Sequence, residues 1–458
     1  MKKRLISVIL IMVMAISLLS GCGSSSGKEE TKTTTDPSDS GTKEENKTGE
    51  EKKEEPKPVT LTIGLPGGYD VTSKEIIDGF KTAYPHITLV IDEAPWGDFT
   101  KKITTQIAGG NAPDIWFQEN AAVLGYGDMG AAEDLMPYIK RDLKLEEYAS
   151  NLFSAQEGEK VWGVPHGGNP IVLAYNKDVF DAANVPYPTD DWTYEDMIEA
   201  AKLLIKDTNG DGATDVYGLL TAGGITDGWF PWINSAGGQA LDEAKRNAVF
   251  DDEKSLKGIT EWVNTIHSYK VSPSRSTVNE LGGTAQMFGN GMGAMVFLQY
   301  SLGSAVLNTN FPDLNYDTAK IPLSFDGTER VVPNVSNTWL IFSKAKEENK
   351  EAAWTFLKYY LSTDVQKLIA ESGSTIPVNK EALAYVDTLQ SKPLNKKAYT
   401  EGVDVAGVTL DENKCWNEWR TAAQPIFNDI MDGKTDPKTG LTQIKTDVQK
   451  ILDENFNE

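Results

Sequence analysis

Between residues 59 and 117 the chain repeatedly switches its hydrophobic period, and this restricts the fold more than any other feature. Residues 59–63, Val-Thr-Leu-Thr-Ile, alternate with the period of a strand and stop at Pro66-Gly67-Gly68. Residues 73–84 then place Ile76, Ile77 and Phe80 at helical spacing. A strand pattern at 87–91, a helical one at 99–107 and a third strand at 115–117, after Pro113-Asp114, complete the run. Strands alternating with helices imply an α/β fold with a largely parallel sheet covered on both faces. Ligands of such sheets sit beyond the carboxyl ends of the strands, here the loops 66–70, 93–98 and 118–121.

The pattern continues with less regularity. Two short strand-like runs surround Pro165-His166-Gly167-Gly168-Asn169, and helical spacing returns at 194–206, 254–268 and 284–290. Residues 294–298 and 338–342 read as apolar strands, and 348–361, 363–372 and 418–431 as amphipathic helices. The 400 residues from Val59 to Glu458 are too many for one small core, so two lobes are expected.

The segment before Val59 has another character. Lys2, Lys3 and Arg4 precede an uncharged, mostly apolar stretch, 5–19, shorter than the roughly 18 residues of a spanning helix. This reads as a secretory signal, 1–21. It ends in Leu19-Ser20-Gly21-Cys22, which resembles the lipobox of bacterial lipoproteins, where the cysteine becomes the lipidated N-terminus. Residues 23–58 lack any aromatic side chain and are built from Ser, Thr, Gly, Lys, Glu and Pro. Such a segment cannot bury enough surface to fold. As a tether it averages roughly 30 Å end to end. Residues 22–58 are therefore expected to hold a globular body near a membrane.

Composition excludes several chemistries. The formal net charge is −23, and loss of Lys2, Lys3 and Arg4 takes it to −26, which opposes nucleic-acid binding. Once Cys22 carries lipid, Cys415 has no partner for a disulfide. The three histidines, His86, His166 and His267, are scattered, and neither CxxC nor HExxH occurs, so a zinc site has no support. A GxSxG elbow and a phosphate-binding loop are likewise missing.

Blocks in a fixed order carry a family resemblance. They are Gly109-Gly-Asn-Ala-Pro-Asp-Ile115 with Tyr126-Gly-Asp-Met-Gly130; Trp162-Gly-Val-Pro165 with Leu173-Ala-Tyr-Asn-Lys-Asp-Val-Phe180; the Ala-Gly-Gly of 232–238; Met287-Phe-Gly-Asn-Gly-Met-Gly-Ala-Met295; Lys350-Glu-Ala-Ala-Trp-Thr-Phe-Leu-Lys358 with Ile376-Pro-Val-Asn379; and Cys415-Trp-Asn-Glu-Trp-Arg-Thr-Ala422. Together they resemble extracellular solute-binding protein family 1, the maltose-binding-protein type of sugar receptor. The resemblance implies a two-lobed periplasmic-binding-protein fold of class II, with the ligand cleft between lobes joined by a multi-strand hinge. It places hinge crossings near 169–173, Ile321 and 374–377. The lobes are then 59–170 with 321–375, and 171–320 with 376–458.

Sugars present apolar ring faces and polar edges, which aromatic and hydrogen-bonding side chains match. The resemblance puts a stacking Trp at Trp416, with Arg420 one turn on and Asn417 beside it. It also points to Trp229 and Trp232, to the rim residues Gln118, Glu119 and Asn120, and to His166 and Asn169 at the hinge. Tyr300 stands where the family commonly has Gly-Pro-Trp, so this sequence departs from the pattern there. Trp96 and Asn334, at strand ends, complete the candidates.

One further motif stands apart. Asp207, Asn209, Asp211 and Asp215 occupy positions 1, 3, 5 and 9 of a calcium loop, with Gly212 at position 6 and the Ala213 carbonyl at position 7. Position 12 is Gly218, unlike an EF-hand. A structural Ca2+ away from the cleft is expected, since crowded carboxylates repel unless neutralised.

The resemblance implies a monomeric, lipid-anchored, extracellular substrate-binding subunit of an ABC importer, not an enzyme, which takes a sugar and hands it to the permease subunits. A secreted glycoside hydrolase, needing two carboxylates across the sugar, and an adhesive carbohydrate-binding surface lipoprotein are the alternatives.

Overall fold

A computed structural model describes residues 56–67, 73–404 and 410–456. The signal, Cys22 and the tether up to Glu55 lie outside the described residues. Among the described residues no helix is long and apolar enough to cross a membrane.

The strands that matter for the site are β1 (Val59–Gly67), β2 (Ile87–Pro95), β3 (Ile115–Glu119), β4 (Val164–Pro165), β5 (Asn169–Asn176), β6 (Met295–Gln299), β7 (Tyr316–Lys320), β8 (Asn334–Val335) and β9 (Asn337–Ile341). They form two principal sheets. The first runs β2-β1-β3-β9-β4. β1 pairs parallel with β2 and β3, whereas β9 returns antiparallel to β3 and β4. In the second sheet β5 pairs antiparallel with β6, β7 and β8. The parallel arrangement expected from residues 59–117 therefore holds for the first lobe's opening strands, while in the second lobe it appears as single bridges such as Leu220 with Val296.

Local sequence explains the elements. In β1, Leu61, Ile63 and Leu65 point into the core while Thr60 faces solvent. Helix α1 (Lys74–Ala83) starts at Ser73, whose hydroxyl accepts the Ile76 N–H, and buries Ile76 and Phe80. Helix α2 (Trp96–Ala108) covers the other face with Phe99 and Ile103. Asp114 ties the sheet end together: its Oδ2 accepts the Thr62 N–H at 2.8 Å and the Thr62 hydroxyl at 2.6 Å. Helix α3 (Glu347–Tyr360) packs Trp354, Phe356 and Tyr360 against the same sheet.

The second lobe builds its core from Leu173, Tyr194, Trp232, Trp262 and Phe297 together with two late helices, α4 (Trp416–Met431) and α5 (Pro437–Phe456). The chain passes between lobes at Gly168, at Ser336 and near Ile376. Gly168 and Ile376 form an antiparallel bridge, and the Thr375 hydroxyl donates to the Gly168 carbonyl at 2.9 Å. The middle crossing corrects the expectation of Ile321. Ile321 and Val332 are buried in the second lobe's core, and β7 and β8 pair with β5. Only at Asn337 does the chain join the first sheet.

Candidate functional site

A cavity of about 530 Å³ opens against the second lobe, between the loop before Trp229, the end of β6 and α4. Gly224, Thr226, Asp227, Gln299, Arg420 and Gln424 are among its lining residues. The loop can turn tightly beneath it because residue 228 is glycine: a Cβ there would stand 2.6 Å from the Ala222 carbonyl oxygen.

Helix α4 explains the wall. Its apolar stripe, Trp416, Trp419, Ala423, Phe427 and Ile430, faces the core, which leaves Arg420, Thr421, Gln424 and Pro425 for the cavity. Pro425 has no N–H, so the Thr421 carbonyl one turn back lacks its usual helical donor at this wall. Gln424 donates to the Gly223 carbonyl at 2.8 Å and to Asn428 Oδ1 at 3.0 Å, which fixes its amide.

Two carboxylates supply negative charge, Asp227 on the cavity wall and Glu119 beside Arg420. Glu119, at the end of β3 in the first lobe, lies 3.9 Å from Arg420 in the second. Burial raises its pKa against the opposing pull of Arg420, and the Glu412 carboxylate adds to the rise. Burial also pushes Asp227 up to about 6. A cavity lined by a guanidinium, one carboxylate and two amides, with the Glu119 carboxylate paired to the same guanidinium, can bind vicinal hydroxyls from both directions of hydrogen bonding.

Of the expected ligand residues, the structure brings Glu119 and Arg420 together. It corrects the aromatic ones. Trp416 is 1% exposed, its indole N–H bonds the Leu410 carbonyl at 2.9 Å, and Arg420 lies over its ring. Trp229 is 0% exposed and stacks on Phe427 at 4.1 Å. Trp232 packs edge-on to Tyr194, and Tyr300 edge-on to Tyr399, both buried. These rings are core because each falls on the apolar side of its element, so none of the four offers an open face. The side chain of Trp96, which starts α2, lies outside the described residues, as do residues 68–70 of the first expected loop.

The remaining candidates are engaged in internal contacts, His166 and Asn169 at the hinge and the others within or beside their own elements. His166 is buried against Phe117 and bonds the Tyr360 hydroxyl through Nδ1, and burial pushes its pKa down to about 3, so it stays neutral. Asn169 Oδ1 accepts the Ser301 N–H at 3.1 Å. Asn120 accepts the Thr338 hydroxyl at 2.9 Å. Buried Gln118 donates to the Thr100 hydroxyl at 3.2 Å. Asn417 is outside the cavity wall, and its carbonyl accepts the Thr421 hydroxyl at 2.6 Å. Asn334 is buried at the start of β8. Asp227, Gln299 and Gln424 were not among the expected residues. Gln299 ends the strand before Tyr300, and Asp227 sits in the loop that carries Trp229, so strand-end placement was the available signal.

The calcium-type loop is closed by its own backbone. Asp207 accepts the N–H groups of Gly210 at 2.7 Å and Gly212 at 2.8 Å, Asn209 that of Asp211 at 2.8 Å, and Asp211 that of Ala213 at 2.7 Å. These donors lower the pKa of Asp207, and contacts from Thr208 lower that of Asp215. Among the described residues, no group of three or more His, Cys, Asp or Glu side chains is gathered for a metal. Any cation here would also need Asn209 and the Ala213 carbonyl.

The bacterial extracellular solute-binding protein family matches residues 75–397. A putative binding protein of Brucella abortus is 26% identical over 329 residues, covering 67% of this chain and 72% of its own. A maltooligosaccharide ABC transporter solute-binding lipoprotein of Streptococcus pneumoniae is 23% identical over 471 residues, covering 97% of this chain and 96% of its own. Among solved structures, an ABC substrate-binding protein from Listeria monocytogenes in complex with cycloalternan superposes with a TM-score of 0.76. It is 23% identical and covers 86% of this chain and 99% of that one, which shows a shared two-lobed fold.

Proposed function

We propose a transport role from one premise: this chain belongs to the family of bacterial extracellular solute-binding proteins. It acts as the substrate-binding subunit of an ABC importer, takes a mono- or oligosaccharide between its lobes and delivers it to the membrane permease. The observation that carries this reading is the cavity where Arg420, Asp227, Gln299 and Gln424 converge, with Glu119 reaching the same guanidinium from the other lobe. Contacts from both lobes to one ligand favour the closed form, since a ligand shifts a conformational equilibrium by its differential affinity. The relatives' sugars, maltooligosaccharide and cycloalternan, support an uncharged carbohydrate. The Asp227 carboxylate on the wall, and Glu119 already paired with Arg420, disfavour a sugar phosphate.

A thermal-shift panel of neutral mono- and oligosaccharides, with glucose 6-phosphate as the charged counterpart, tests the reading. A neutral sugar should raise the melting temperature by mass action, and the phosphate should not. Recovery of a labelled oligosaccharide uncut after incubation is expected, and its cleavage would favour a glycoside hydrolase.

The lipid anchor belongs to the same proposal. Two or more acyl chains on Cys22 hold a protein stably at a membrane, whereas one is marginal. Cys22→Ser should release a folded, sugar-binding monomer from the extracellular face into the medium. Its retention on cells would remove the anchor from the proposal.

A further inference from the structure

Proline is the least favourable residue in a helix interior. Helix α4 nevertheless carries one in its middle, Pro425. In an α-helix each N–H serves the carbonyl four residues back. In that pattern the N–H groups of Gln424 and Ile426 go to residues 420 and 422, which leaves the Thr421 carbonyl without a helical donor. The pyrrolidine ring also presses that carbonyl away from the helix axis.

The carbonyl lies at the cavity. A helical carbonyl sits on the helix surface between its own side chain and those three and four residues on. For Thr421 those are Gln424 and Pro425, and all three line the cavity of about 530 Å³. Thr421 and Pro425 are exposed, whereas Ala423 and Phe427, on the other side of α4, are buried. The missing donor is therefore on the side of the helix that faces the open space.

Neighbouring side chains leave the carbonyl uncovered. The Thr421 hydroxyl turns back one turn and donates to the Asn417 carbonyl at 2.6 Å. The Gln424 amide nitrogen is taken up by the Gly223 carbonyl and Asn428 Oδ1, and its oxygen accepts the Trp229 indole N–H at 3.4 Å. The Arg420 guanidinium lies over Trp416, toward the start of the helix. Each side-chain donor beside Thr421 on this wall is thus directed elsewhere.

We propose that the Thr421 carbonyl is a hydrogen-bond acceptor of the sugar site, freed for that role by Pro425, and that it takes the proton of one ligand hydroxyl. The inference rests on the transport reading and adds selectivity to it. A carbonyl oxygen accepts and cannot donate. At this point of the ligand it demands a hydroxyl with a proton to give. It rejects a deoxy position or an ether oxygen, either of which leaves the covered acceptor unpaired. The adjacent Arg420 is a donor only, so the wall offers both hydrogen-bonding directions side by side.

The test uses Pro425→Ala and Thr421→Ala in the mature chain, with whichever neutral sugar of the thermal-shift panel binds the unaltered protein, and with mono-deoxy derivatives of that sugar. Alanine at 425 supplies the missing N–H. Without sugar, Pro425→Ala should melt higher than the unaltered protein. It should bind the sugar about five- to ten-fold more weakly by calorimetry. Thr421→Ala keeps the carbonyl and should keep the affinity. One deoxy derivative should bind the unaltered protein more weakly than its parent sugar, yet bind Pro425→Ala as well as the parent does. Undiminished affinity in Pro425→Ala overturns the acceptor and leaves the transport reading intact. So does a loss in Pro425→Ala that is equal for the parent and every deoxy derivative, which marks a change of helix shape alone. A loss in Thr421→Ala as large as in Pro425→Ala assigns the contact to the hydroxyl and overturns it as well. A lower sugar-free melting temperature in Pro425→Ala would show that the ring's packing, not its missing donor, explains the proline, and counts against the proposal in the same way. If no neutral sugar binds the unaltered protein, the transport reading itself fails and the acceptor with it.

Discussion

The guanidinium carbon of Arg420 lies 4.4 Å from the centre of the Trp416 ring, one helical turn away, so the charge covers the indole. Side chains four apart on a helix stack on one another, and here the pair presents a cation to the cavity in place of an aromatic face. Trp416 then works as core. Trp416→Ala should lower the unfolding free energy by about 3–5 kcal/mol in urea titrations. Arg420→Ala should leave that free energy within about 1 kcal/mol and weaken sugar binding about ten-fold or more. Sugar affinity retained in Arg420→Ala would place the binding surface elsewhere.

Asp227 gives the site a pH dependence. Burial raises its carboxyl to about 6, above the ordinary value of 3.8, so the folded state holds its proton where the unfolded chain has released it. Between about pH 4 and 6 the folded state binds more protons, and stability contributed by this group falls as pH rises through that window. Asp411, also pushed up to about 6 by burial, adds a slope of the same sign. Asp227→Asn should therefore flatten part of the loss and melt higher than the unaltered protein at pH 7 in the absence of sugar. Sugar binding should move oppositely, strengthening from pH 5 to 7 as the carboxylate becomes a full acceptor, and the asparagine variant should lose that trend in calorimetry.

Much of this arrangement was readable from residues alone. The alternation in 59–117 specifies the first lobe's opening strands and helices because each apolar face has only one way to be covered. The periodicity of 416, 419, 423, 427 and 430 also marks Trp416 as a core residue, and the family resemblance pulled it toward the cleft against that signal. Long-range pairing was not readable. Residues 321–335 carry no clear period, and only the pairing of the flanking β7 and of β8 with β5 assigns them to the second lobe. Asp227, Gln299 and Arg420 are distant in sequence, so their convergence depends on how three elements pack.

Gly125, in the first lobe, packs against the backbone of Lys414 in the second. A Cβ there would stand 2.9 Å from the Lys414 carbonyl oxygen, which belongs to the segment entering α4. Lys414 Nζ reaches Asp128 at 3.5 Å from the same segment. A backbone oxygen in a tethered loop yields little, so Gly125→Val should hold the lobes apart at this edge. Small-angle scattering is expected to show a larger radius of gyration with saturating sugar than for the unaltered protein, with affinity about ten-fold lower. Equal compaction of both proteins on adding sugar would show that the contact is not made by closure.

The loop at 207–215 separates two accounts of its carboxylates. In the structure they are held by backbone N–H groups, which offset part of the repulsion that motivates a cation. We propose that Ca2+ still binds there, because Asp207, Asn209, Asp211 and Asp215 keep the oxygen chemistry and the glycines Gly210 and Gly212, at φ 79° and 87°, keep the turn. A cation that binds only the folded state raises stability with its concentration. Millimolar calcium added to metal-stripped protein should therefore raise the melting temperature by a few degrees, magnesium should do less, and sugar affinity should not change. Asp211→Ala should abolish the calcium response while leaving the metal-free melting temperature nearly unaltered, since its one backbone contact, to Ala213, lies at the exposed tip of the loop. A melting temperature indifferent to calcium would mean that the backbone donors alone neutralise the loop.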